Sequence, residues 1–119
     1  MEYDDKQAWK DAEEMGSTIY YLFILKKGPI WSPESTPEID ALQEEHLANY
    51  RRLAEEGKLA ITGPFMDSFQ LVGETRGAGV LKAKSWDEAY EWISTDPMVK
   101  IGRLTFELHA WMLAKDTFK

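Results

Sequence analysis

From Thr18 to Leu25 every position is β-branched, aromatic or aliphatic, and the run leads up to Gly28-Pro29, which predicts a first strand. Residues 30–36 form a loop rich in proline and serine. Thr36-Pro37-Glu38 then opens a helix, with Thr36 as its N-cap and Pro37 at the first helical position, where a missing N–H costs nothing. That helix is expected to run to about Glu56, with Gly57 as the residue that ends it. Residues 59–65 read as a second strand interrupted by Gly63-Pro64, and a third is expected near residues 78–83. Ser85-Trp86-Asp87-Glu88 is a capping box, in which Ser85 accepts from a free amide and Glu88 reaches back to the cap. The helix it opens stops before Pro97, because the residue ahead of a proline is pushed out of the helical region. Residues 97–101 allow one more short turn, and residues 103–113 make the last strand. The order is β-α-β-β-α-β, an α+β domain of the ferredoxin-like kind.

In such a domain both helices cover one face of the sheet and leave the other open. The first strand is apolar on both: Ile19, Tyr21, Phe23 and Leu25 point one way, and Tyr20, Leu22 and Ile24 the other. A strand that is apolar on both faces expects cover on both. The last strand puts Leu104, Phe106, Leu108, Ala110 and Met112 on the helix side, and Thr105, Glu107, His109, Trp111 and Leu113 on the second. Two arrangements fit. Either a second copy packs there, giving a homodimer joined through the sheet faces around a partly polar interior, or the face is solvated and its aromatics are scattered. The first strand favours the homodimer.

The chain has 119 residues, enough for one domain with a real core, and its 44% hydrophobic and 29% charged residues are ordinary globular values. It has no cysteine, which excludes disulfides, thiolate metal sites and cysteine nucleophiles. Fourteen basic against 21 acidic residues give −7 and leave no basic patch for a nucleic-acid partner. No stretch approaches the ~20 apolar residues of a membrane span, so no membrane partner is expected. Residues 1–17 hold six acids against Lys6 and Lys10, a net −4 of the total. They read as an acidic N-terminal extension, solvated or a short surface helix around Trp9, peripheral to the domain of residues 18–119. The extension has no apolar run and is not a signal peptide as it stands. A cytoplasmic protein is expected, unless a signal peptide has been removed.

On the first helix a 100° step gathers Ile39, Leu42, His46, Tyr50, Leu53 and Ala54 into one broad stripe, with His46 near its middle. A histidine there is either a structural residue with its hydrogen bonds satisfied or a catalyst. Asp96, directly before Pro97, reads first as an N-cap. One carboxylate oxygen can cap a helix while the other orients an imidazole. Trp31, Phe65, His109 and Trp111 are candidate pocket residues, with ordinary core or dimer contact as the other reading. His109 and Glu107 share a strand face, but two histidines in the whole chain without a third placed ligand do not make a metal site. No metal is expected. Walker, G-x-G-x-x-G and G-x-S-x-G motifs are absent, so no nucleotide cofactor and no serine nucleophile are expected.

An aromatic first strand leading to Gly28-Pro29, His46 in the first helix, and Gly57-Lys58-Leu59 followed by Gly63-Pro64-Phe65 make an ordered set. A glycine-containing third strand, Ser85-x-x-Glu88-Ala89, Asp96-Pro97 and a closing His109-x-Trp111 complete it. Over about residues 18–114 this series resembles the YCII-related (YciI-like) domain family. The resemblance implies a dimeric α/β barrel, two ferredoxin-like sheets packed face to face, and a catalytic His–Asp pair at His46 and Asp96. A few related proteins act as dehydrochlorinases on chlorinated aromatic-derived compounds. The acidic extension and the loop holding Trp31 depart from the shortest members.

The chemistry that suits a His–carboxylate pair is proton transfer: the carboxylate fixes the tautomer, and the ring exchanges a proton near neutral pH. The expected function is a lyase or isomerase acting on a small, aromatic-derived acid or lactone without a cofactor. The alternative is a non-catalytic domain that keeps the barrel and uses its pocket to bind a small ligand. Hydrogen-bond reach between His46 and Asp96 at a pocket separates the two.

Overall fold

The computed structural model describes residues 2–69 and 74–118. Its elements are α1 (Asp5–Glu14), β1 (Ser17–Lys27), α2 (Pro37–Glu55), β2 (Leu59–Pro64), a 3-10 turn (Met66–Phe69), β3 (Thr75–Leu81), α3 (Trp86–Ile93), α4 (Pro97–Lys100) and β4 (Leu104–Ala114). The four strands form one sheet in the order β2-β3-β1-β4, antiparallel at every neighbour. From β1 onward this is the ferredoxin-like arrangement that the pattern predicts. β4 pairs β1 along its whole length, from Ser17 opposite Ala114 to Lys27 opposite Leu104. β3 starts earlier than expected, at Thr75, although Arg76-Gly77-Ala78-Gly79 has little strand propensity of its own. It lies between β2 and β1, and hydrogen bonding on both edges overrides the composition.

The helix layer covers one face, as the alternation requires. Ile19, Tyr21, Phe23 and Leu25 of β1 are buried in the core with Leu104 and Leu108 of β4. α2 adds Tyr50 and Leu53, while Ala54, at the edge of the predicted stripe, stays exposed. Thr36 caps α2 by accepting from the Ile39 amide, with Pro37 in the first turn. The ring of Phe23 lies across β3 at Gly79, where any Cβ would overlap it, and it stacks on Tyr50 with ring centres 5.8 Å apart. Gly79 therefore sets the height at which Tyr50 meets the sheet.

The N-terminal segment forms a short helix around Trp9, one of its two readings, but it is not peripheral. α1 docks on the helix-side face of β1 next to α3, with Ala12 fully buried and Trp9 packed against the core. The Asp5 carboxylate accepts the Tyr21 hydroxyl at 2.7 Å and the Trp86 amide at 3.0 and 3.1 Å. Trp9 Nε1 also donates to the Tyr21 oxygen, at 3.1 Å. Asp5 thus supplies a second cap for α3. Ser85 accepts from the Glu88 amide as the capping box predicts, but Glu88 reaches the Lys84 amide rather than that of the cap. Residues 1–17 were expected to be peripheral. Their helix is instead part of the packed layer, because a handful of apolar and hydrogen-bonding positions outweigh the acidic composition that suggested solvation.

The second face carries Tyr20, Leu22, Ile24 and Val80, with Ile61 55% and Trp111 44% exposed beside them. Phe118 packs edge-on against Tyr20 and buries it. No helix among the described residues is long and apolar enough to cross a membrane.

Candidate functional site

α4 begins at Pro97, and Asp96 is its N-cap, with Oδ1 accepting from the Met98 amide at 2.9 Å. The cap holds Asp96 fully buried beneath α2. There it takes two more donors, four residues apart on one face of that helix. The Tyr50 hydroxyl donates to Oδ2 at 2.8 Å. His46 Nδ1 lies 2.9 Å from Oδ1 and 2.8 Å from Oδ2. Asn49 Nδ2 donates to Thr95 Oγ1 at 3.0 Å, tying the two segments together once more. Capping and orienting an imidazole, the two readings of Asp96, are both realised in one carboxylate.

The network assigns the tautomer. A carboxylate only accepts, so His46 donates through Nδ1–H, and the neutral ring keeps a lone pair on Nε2. Burial, and then the charge and hydrogen bond of Asp96, push the Tyr50 phenol well above its ordinary range, so Tyr50 remains a donor. Among the described residues every buried side-chain nitrogen and oxygen has a partner. Nε2 of His46 has none among the described residues and therefore reaches a surface. The histidine side chain is 12% exposed, and what it faces is a cavity of about 400 Å³ between α2, the ends of β2 and β3 and the loop after β1.

The cavity wall combines apolar groups (Leu25, Ile39, Leu47, Leu104) with Gln43, Ser32, Arg76 and Arg103. The loop forming its mouth is fixed at Gly28, whose amide donates to the Arg103 carbonyl and whose Cα packs so tightly on Gly102 that a side chain would overlap that residue's carbonyl. Trp31, placed by this loop, lines the cavity.

Phe65, His109 and Trp111 do not. Phe65 lies just past β2 and is not among the lining residues. His109 and Trp111 project from the opposite sheet face, exposed, with His109 Nε2 3.5 Å from Glu107 and Glu107 also paired to Lys26. Those two hydrogen bonds, first from Lys26 and then from His109, hold the Glu107 carboxyl below its usual range. No group of three His, Asp or Glu among the described residues is placed to hold a metal ion. Tyr50, Arg76 and Arg103 were not anticipated. Tyr50 carried a signal, since it is one turn from His46 on the same stripe; the arginines carried none.

The model of the YCII-related domain matches residues 20–108, a span that contains the strand core, His46 and Asp96 and leaves α1 outside. The chain belongs to the YCII-related domain family. An uncharacterised Bacillus subtilis protein, YjpA, is 33% identical over 84 residues, 67% of this chain and 92% of that one. Among solved structures, the fold matches the 5-chloro-2-hydroxyhydroquinone dehydrochlorinase of Burkholderia phenoliruptrix, in complex with 2,5-dihydroxybenzoquinone. That match has a TM-score of 0.55 and 23% identity, covering 77% of this chain and 92% of the other. The fold is thus shared between this chain and a dehydrochlorinase.

Proposed function

We propose that the chain is a small-molecule lyase or isomerase in which His46, oriented by Asp96, moves the proton. The carrying observation is the geometry of the pair: Nδ1 held on a buried, fully partnered carboxylate, with Nε2 open to a cavity. Elimination of HX from a small ring requires one proton to be taken as X⁻ leaves with the bonding pair. Nε2 accepts that proton, and Asp96 stabilises the resulting imidazolium. In an isomerisation the same imidazolium returns the proton at another atom. The cavity, lined mainly by apolar side chains and large enough for one ring with its substituents, suits a small aromatic-derived acid or lactone. The dehydrochlorinase of the same fold supports this chemistry as a class. Chloride release from 5-chloro-2-hydroxyhydroquinone, and solvent-deuterium exchange into a panel of cyclic acids and lactones, test it. Turnover found in either assay is expected to fall by about 10²–10⁴-fold in His46→Gln. Turnover that survives that substitution contradicts the assignment.

A second reading, a pocket that binds without catalysing, draws on the structural duty of Asp96, which caps α4 and anchors Tyr50 whether or not His46 reacts. The same exchange assay separates the two, since a binder shows no exchange.

The homodimer also belongs to the proposal. Leu22, Ile24, Ile61, Trp111 and Leu113 share a face that no helix among the described residues covers and stay partly or well exposed, an apolar area of the kind that a second sheet would cover. Light scattering behind size exclusion is expected to give twice the chain mass, and Trp111→Glu to shift it toward one. A stable monomer at micromolar concentration removes the dimer from the account.

A further inference from the structure

Three cations converge on one ring at the cavity mouth. Lys27 Nζ lies 4.3 Å from the centre of Trp31, and the guanidinium carbons of Arg76 and Arg103 lie 5.2 and 5.8 Å from it. The chain as a whole carries −7, yet among the described residues no Asp or Glu lines the cavity, whereas two arginines do. Arg103 is held in place by Ser32, donating to its carbonyl at 2.8 Å and lying 3.5 Å from its hydroxyl. Neither that partner nor the indole neutralises its charge. Like charges gathered this closely repel one another. The indole face offsets part of that repulsion, and an anion placed among them offsets more.

We infer that the pocket takes a small organic anion about one ring in size. Arg103 and Arg76 hold its carboxylate, phenolate or enolate oxygens beside Trp31, and its apolar body lies against Leu25 and Leu104 within reach of His46. The guanidinium groups offer paired donors suited to such oxygens, and the Ser32 contacts fix one of them before the ligand arrives. Removing a proton from a ligand of this kind builds charge on oxygen, which the same cations stabilise. The role given to the bound anion rests on the proposed proton transfer, but the site itself stands on binding alone.

Benzoate and its neutral isostere benzamide distinguish the outcomes, with binding followed by tryptophan fluorescence and calorimetry at low and raised salt. Benzoate is expected to bind at least about tenfold more tightly than benzamide. Added salt is expected to weaken benzoate selectively. Arg103→Gln and Arg76→Gln should each cost roughly tenfold or more in benzoate affinity, with Arg103→Lys intermediate. Should Arg103→Gln fail to fold, the benzoate–benzamide comparison on the unaltered chain and the Arg76→Gln titration still decide. Equal affinity for the two compounds, or no benzoate binding at ~10 mM, overturns the inference. A benzoate preference without exchange or turnover of any substrate leaves the anion site standing and removes the proton-transfer reading. Turnover through His46 with equal affinity for the two compounds does the reverse.

Discussion

Asp96→Ala is expected to destabilise the fold by roughly 3–5 kcal/mol, the largest single-residue effect outside the apolar core. The substitution removes the cap of α4, ordinarily worth about 1 kcal/mol, and strands the buried Tyr50 hydroxyl at a further cost of about 1–3 kcal/mol. His46 loses its anchor at the same time. A loss of this size lowers Tm by roughly 10–20 °C, measurable by calorimetry. Asp96→Asn keeps an oxygen that can accept from the Met98 amide or the Tyr50 hydroxyl, and is expected to recover about half of the loss. If Asp96→Ala melts with the unaltered protein, the carboxylate is not the tie between α2 and α4 described here.

Deleting residues 2–16 is expected to cost about 2–4 kcal/mol, a Tm drop of roughly 10 °C or more. The deletion uncovers the surface over Ala12 and Trp9 and takes both Asp5 and Trp9 from the Tyr21 hydroxyl. The acid limb of stability reports the same contact. Burial alone would raise the Asp5 carboxyl, but hydrogen bonds from Tyr21, Tyr3 and the Trp86 amide outweigh it and hold the group below its usual 3.8. A depressed folded value means that the stabilisation is complete above the unfolded value and fades as pH falls through the folded one. Asp5→Asn should therefore be less stable than the parent at neutral pH and approach it as acid protonates the carboxyl, below its usual range. Unchanged melting after the deletion would return α1 to the periphery.

The strands, helices and second-face pattern were legible because each rests on local periodicity, and the helix side of β1 and β4 follows from alternation alone. The pairing of His46 with Asp96 was legible only through the family resemblance. Periodicity places His46 on a stripe and Asp96 at a cap, and nothing in either position states their distance. Alternation already separates Trp111 and His109 from His46, since α2 covers the face opposite to theirs. Aromatic character argued for the pocket in their case, and strand parity was the stronger signal. The tie from Asp5 to Trp86 joins positions 81 residues apart, and the cations around Trp31 come from β1, β3 and the approach to β4. Such contacts depend on the closed sheet and have no local signature.

The state of the His46 ring tests the central claim most directly. Proton–nitrogen correlation spectra of the neutral imidazole are expected to show Nδ1 protonated and Nε2 bare. Adding benzoate or 2,5-dihydroxybenzoquinone should shift the Nε2 resonance, and Asp96→Asn should mix the tautomers. A ring protonated at Nε2, with resonances indifferent to every pocket ligand and to Asp96→Asn, would contradict the account and leave His46 a structural residue of α2.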